Sequence, residues 1–162
     1  MDFLKVCKLS EDNVSNIIQE IIESLKTNIH LTTFSDLPTL MLLQPKENLQ
    51  SSFHYMHFPQ DKKQIFHYHP SARYLLVLGD VDMHIHYNKC DLDSNPYNDF
   101  TTLTLPAFTL GIVRYEANVW HYFESSKGEN KRGIVAFTFH DKDDIEEIHD
   151  NLMEELTFFY KS

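Results

Sequence analysis

Cysteine, glycine and positive charge are all scarce in this chain, and each scarcity removes a class of protein. Only Cys7 and Cys90 occur in 162 residues, with no CxxC pair. No disulfide framework or thiolate zinc site is therefore expected, and a reducing, cytoplasmic setting is. Four glycines leave no room for a glycine-rich phosphate loop, and neither a GxSxG elbow nor an HExxH motif occurs, which sets aside kinase, serine-hydrolase and zincin chemistry. Against 24 acidic residues stand 14 basic ones, for a formal charge of −10. Such a field repels phosphate backbones and anionic membranes. No apolar run approaches the length that crosses a bilayer, and Met1-Asp2-Phe3-Leu4-Lys5 lacks the basic-then-apolar pattern of a signal peptide. The expected partner is a small molecule, with neither nucleic acid nor membrane involved.

What is plentiful is aromatic. Twelve Phe and eight Tyr in a chain that is 42% apolar predict an ordered, β-rich interior. A chain of this length fits a single domain, 1–162, able to bury its own core. Residues 10–27 read as an amphipathic helix, because Val14, Ile17, Ile18, Ile21, Ile22 and Leu25 share one face. Ser10 is placed to cap it, with Glu11 and Asp12 in its first turn. From 39 to 140 the pattern becomes eight or nine short strands rich in β-branched and aromatic residues, with Gly79-Asp80 expected to close the tightest hairpin through a positive φ. A second helix is predicted over 141–159 on the stripe Ile145, Ile148, Leu152, Leu156 and Phe159. The architecture expected is an all-β, single-domain barrel with flanking N- and C-terminal helices. Exposed sheet edges and the apolar helical stripe further suggest a homodimer.

The chemistry concentrates in Phe66-His67-Tyr68-His69-Pro70 and Val119-Trp120-His121-Tyr122-Phe123. On a strand, residues i and i+2 face the same way, so His67 and His69 point together. His121, on a strand apolar on both faces, needs a buried partner of its own. Three converging imidazoles can hold Zn, Fe, Mn, Ni or Cu, or serve as acid and base without a metal. A second pair, His84-Ile85-His86, is out of phase with the apolar Met83, Ile85 and Tyr87, and is expected outside the cavity. Arg73 and Arg114 lie beside strands of an acidic protein, where a guanidinium can clamp a substrate carboxylate. Glu116 is a candidate ligand or base, although Ala117 and Asn118 next to it suggest a turn. His54 and His57 fall on opposite strand faces; His30, His140 and His149 read as peripheral.

His67-Tyr68-His69, the Gly79 turn and His121, within 39–140, resemble the cupin superfamily, whose first motif is an HxH with a Glu soon after and whose second holds a single His. Here Arg73 or Tyr74 stands at the Glu position and Asn118 precedes the second motif. The resemblance implies a double-stranded β-helix, or jelly-roll, barrel, with His67, His69 and His121 as metal ligands or catalytic groups. A narrower likeness is to ureidoglycolate lyases: His69-Pro70, then Tyr115 followed by Trp120-His121, and the tail Phe139-His140-Asp141-Lys142-Asp143-Asp144. That likeness implies a lyase acting on a small carboxylate-bearing metabolite. His67, His69 and His121 would supply acid, base or metal ligands, and Arg73, Arg114 and Tyr115 would hold the substrate. The alternatives left open are a three-His dioxygenase-like metal enzyme, a metal-free sugar isomerase and a non-catalytic binding protein, with the cofactor either one divalent ion (Zn, Fe, Mn or Ni) or none.

Overall fold

The expected strands form, and they sort into two antiparallel sheets. A computed structural model describes residues 1–27, 31–33, 40–44, 52–64, 66–88, 100–140 and 148–149. In chain order the elements are β1 (Asp2–Lys8), α1 (Glu11–Thr27), β2 (Leu31–Thr33), β3 (Leu40–Gln44), β4 (Ser52–Pro59), β5 (His67–Tyr68) and β6 (Arg73–Gly79). There follow β7 (Met83–Asn88), β8 (Thr101–Leu105), β9 (Thr109–Tyr115), β10 (Trp120–Ser125), β11 (Gly133–His140) and β12 (Ile148–His149). The larger sheet runs β1-β9-β6-β11-β4-β3-β2 and the smaller β12-β5-β10-β7-β8. Sequence-adjacent strands repeatedly lie in different sheets, as jelly rolls require.

Strand alternation builds the core. Leu75, Val77, Val113 and Ile134 from the larger sheet meet Met83, Ile85, Leu105 and Phe123 from the smaller one, all buried in one cluster. The opposite face of the larger sheet is covered by α1, whose Val14, Ile18 and Ile22 pack on Leu78 and Val135. Burying each of these three is worth about 1.5–3 kcal/mol. Ser10 caps the helix as expected, its Oγ accepting from the Asn13 N–H at 3.4 Å. Ile17, part of the same sequence stripe, is 37% exposed, because it lies at the margin of the face that Val14, Ile18, Ile22 and the partly buried Ile21 turn to the sheet.

Two expectations are corrected. Gly79-Asp80 closes no hairpin: β6 and β7 belong to different sheets, so the segment is a corner between them. Gly79 does not take a positive φ; among the described glycines only Gly133 does, at 111°. Glycine is required at 79 by crowding, since a Cβ there would stand 2.9 Å from both Ile134 Cγ1 and the Val81 carbonyl. The buried Asp80 carboxylate then accepts from the Arg132 and Gly133 N–H groups at 2.9 and 2.8 Å, fastening the corner to the start of β11. The second correction is β1 together with β2, neither of which the sequence foresees, since the strands it predicts begin at 39. Most of the predicted 141–159 helix lies outside the described residues; Ile148 and His149, the two that are described, are extended and pair with β5. No helix among the described residues is long and apolar enough to cross a membrane.

Candidate metal centre

The site forms where one end of the smaller sheet meets the larger. His67 on β5 is the direct register partner of His121 on β10, so the two imidazoles share the inward face. His69 follows two residues later, just beyond β5. Its carbonyl accepts from the Asn118 N–H at 2.8 Å, which ties the first histidine segment to the turn leading into β10. That turn is the one anticipated at Ala117 and Asn118. Asn118 sits at φ 60°, a left-handed conformation that Asn tolerates better than most residues.

The three rings converge. Centroids lie 4.9 Å apart for His67 and His69, 4.5 Å for His67 and His121, and 5.1 Å for His69 and His121. One nitrogen from each falls within 4.8 Å of the others, and all three residues are buried. Val119 fixes one tautomer: its carbonyl lies 2.7 Å from His121 Nδ1. A carbonyl can only accept, so Nδ1 carries the proton and the lone pair is on Nε2, the arrangement of a histidine prepared for a metal. Three neutral imidazoles leaving open positions suit Zn, Fe, Mn or Ni, and the donor set fits a divalent ion.

Two more predicted residues join them. Arg73 is 2% exposed, with Nη1 3.5 Å from His69 Nε2, a long contact in which the guanidinium is the donor. Tyr115 stands opposite Arg73 across β6 and β9, and its ring stacks on His121 at 5.0 Å and 9°. Burial pushes the Tyr115 hydroxyl well above its usual pKa, against the smaller opposing effect of Arg73, so the phenol stays protonated.

Other expected residues are placed elsewhere. Arg114 alternates out of phase with Val113 and Tyr115, is exposed, and pairs with Glu116 at 3.4 Å. It is not brought to the histidines, and Glu116 goes with it; a one-residue offset on a strand reverses the face. His84 and His86 lie outside the core, bonded to Thr104 and Ser126 and to Thr102 and Glu124. His57 Nε2 meets the Arg132 carbonyl at 3.0 Å. The side chains of His30, His54, His140 and His149 lie outside the described set, yet the backbone of His149 is in register with His67 and that of His140 with Arg73, which the peripheral reading did not anticipate. Sequence reasoning also missed Ser71, buried between His69 and Arg73. The signal was available: 67, 69, 71 and 73 continue one period-2 series.

No family model matches the sequence, and no curated protein does. Solved structures do resemble it. An oxalate oxidase in complex with the substrate analogue glycolate superposes with a TM-score of 0.55 at 13% identity, over 77% of this chain and 63% of that one. A cupin 2 conserved barrel domain protein from Rhodopseudomonas palustris gives 0.53 at 10% identity, over 74% of each chain. Bacillus subtilis oxalate decarboxylase, a protein with Mn(II) centres, gives 0.53 at 12%, over 73% of this chain and 30% of its own. The chain thus spans under a third of the decarboxylase and under two thirds of the oxidase. At such identities the likeness carries the fold alone, and that fold is the all-β cupin jelly roll.

Proposed function

We propose that the protein is a small-molecule enzyme of cupin type whose reaction centre is a divalent metal ion held by His67, His69 and His121, and whose substrate carries a carboxylate bound at Arg73. The observation that carries this reading is the convergence of three buried imidazole nitrogens within 4.8 Å. Three imidazole nitrogens this close together form a donor set that one divalent ion can share. When bound, the ion supplies Lewis-acid polarisation of a substrate oxygen. The residues do the rest. Arg73, permanently charged and nearly fully buried, offers a two-pronged grip that orients a carboxylate against the histidines. The surrounding aromatic and aliphatic wall, including Tyr115 and Phe123, keeps bulk water away from the bond that reacts.

The Mn(II) centres of the oxalate decarboxylase support a metal reading in outline, without naming the metal here. The narrower ureidoglycolate-lyase reading is kept as a candidate substrate. Its substrate places a hydroxyl, a urea nitrogen and a carboxylate on one carbon, and elimination needs a base for the hydroxyl, an acid for the leaving nitrogen and a cation for the carboxylate. One contact favours a metal-free version of that chemistry: the Arg73 guanidinium stands 3.5 Å from His69 Nε2, where its charge opposes a dication. The experiment is elemental analysis of protein purified without chelator, followed by turnover of ureidoglycolate, oxalate, glycolate and related acids before and after chelation. Stoichiometric metal with activity lost on chelation supports the proposal. Turnover that survives chelation transfers the chemistry to the histidines as acid and base, and binding without turnover makes the protein a carboxylate-binding cupin. A homodimer is also proposed, because Ile17, Tyr74 and Leu76 are exposed beside α1; light scattering that shows a monomer at high concentration removes it.

A further inference from the structure

Buried hydrogen-bond donors accompany the histidine cluster on its neighbouring strands and link. Along the segment that links β5 to β6, positions 67, 69, 71 and 73 are buried while 68, 70 and 72 are less so, so Ser71 belongs to the series that carries His69 and Arg73. Its hydroxyl is buried with no hydrogen-bond partner among the described residues. The same holds for the hydroxyl of Tyr115, a residue that is 2% exposed. Two orphaned buried hydroxyls are unusual, because each forgoes the bonds it makes in water. Arg73, two residues after Ser71 and in cross-strand register with Tyr115, cannot take up either proton, since Arg offers donors and no acceptor.

The donors also lie over different histidines. Arg73 approaches His69 at 3.5 Å, whereas Tyr115 lies flat on His121 at 5.0 Å, and those two imidazoles are 5.1 Å apart between centroids. A group gripped by Arg73 and Ser71 is therefore not the atom that Tyr115 meets. We propose that Ser71, Arg73 and Tyr115 form one recognition wall in which Ser71 and Arg73 take a carboxylate while the Tyr115 hydroxyl donates to an oxygen on the adjacent carbon. The wall selects 2-hydroxy and 2-oxo carboxylates over the plain acids of the same length. This deepens the carboxylate reading of the site and makes Tyr115 its specificity-determining residue; it needs no assumption about the metal.

Glycolate and acetate differ by the single oxygen in question, so they are the probes. Titration calorimetry on the full chain should find glycolate bound about tenfold or more tightly than acetate, the worth of roughly one hydrogen bond. In Tyr115→Phe the ratio should fall to about one with acetate affinity unchanged, whereas Ser71→Ala should weaken both ligands alike. Without ligand, Tyr115→Phe should melt no lower than the parent, because it removes an unpaired buried hydroxyl. Equal affinities in the parent, a ratio that survives Tyr115→Phe, or no binding of either acid overturns the inference. So does a Tyr115→Phe protein that melts lower while keeping the preference, since Tyr115 is then a packing residue. Metal content measured on the same samples keeps the two readings separate: stoichiometric metal without the glycolate preference leaves the metal centre standing and removes this wall, and the preference without metal does the reverse.

Discussion

Two histidine pairs with the same H-x-H spacing meet opposite fates in this molecule. His67 and His69 are 4% and 5% exposed and converge with His121. His84 and His86 lie on the outer face of the smaller sheet, 6.3 Å apart between ring centroids and occupied by Thr104, Ser126, Thr102 and Glu124. The difference does not reside in the motif. On β7 the residues that alternate with the histidines are Met83, Ile85 and Tyr87, all in the core, and they claim the inward face. Around β5 the alternating residues are Phe66, Tyr68 and Pro70. Phe66 stacks on Trp120, the outward neighbour of His121, and Tyr68 meets the same ring edge-to-face, so aromatic packing on the outer face frees the inner one for imidazoles. A motif acquires its chemistry from which parity the hydrophobic residues take.

The comparison can be broken at several points. Ile85→Ala, in the middle of the outward pair, should cost about 2–5 kcal/mol of stability, since it empties a fully buried site; urea unfolding measures it, and metal binding by the refolded protein should be unaltered. Tyr68 between the inward pair is only half-buried, and its replacement by Ala should cost less. His67→Ala should lower metal affinity by more than about 100-fold, roughly 2.7 kcal/mol, read by metal competition against a chromophoric chelator. His84→Ala in the same assay should have no effect. Should both variants behave alike, the parity argument is wrong.

Arg73→Leu sharpens the difference between the two environments. It should weaken binding of small carboxylates by about 1.5–3 kcal/mol, the usual worth of a hydrogen bond to a charged group, and tighten the metal by relieving repulsion beside His69. Calorimetry with glycolate and a metal titration give the two signs, and opposite signs are the diagnostic result. Arg114→Leu, on the exposed face of the neighbouring strand, should change neither. The smallest effect concerns pH. Burial lowers the pKa of His86 below the ordinary 6.5, outweighing the opposing pull of Glu124. A histidine harder to protonate folded than unfolded contributes stability above its unfolded pKa and loses it as pH falls through the folded one. His86→Gln should therefore flatten the decline in melting temperature between about pH 7 and 5.

Much of the fold was legible. Eight or nine strands are foreseen between 39 and 140 and nine appear there, β3 to β11, because a half-buried strand writes its alternation into the sequence. The helix beginning after Ser10 was equally plain. β1 was not, and its burial explains why: Leu4 and Val6 are 55% and 50% exposed, so an edge strand paired only with β9 leaves little hydrophobic pattern to read. Gly79-Asp80 misled for a different reason. A glycine before an acid signals a turn, but whether the turn returns a strand to its neighbour or sends it across to the other sheet depends on partners far away in the chain.

The amino-acid sequence by itself determined the β-rich class, the capped helix, the pairing of His67 with His69 and the outward parity of His84 and His86. These are local consequences of periods of 2.0 and 3.6 acting on apolar residues. Tertiary structure alone decided that His121 lies directly across from His67, that Arg73 rather than Arg114 enters the core, and that the Tyr115 ring lies on His121. Each depends on the register between strands distant in sequence. Register is set by the whole set of cross-strand contacts and no single segment encodes it.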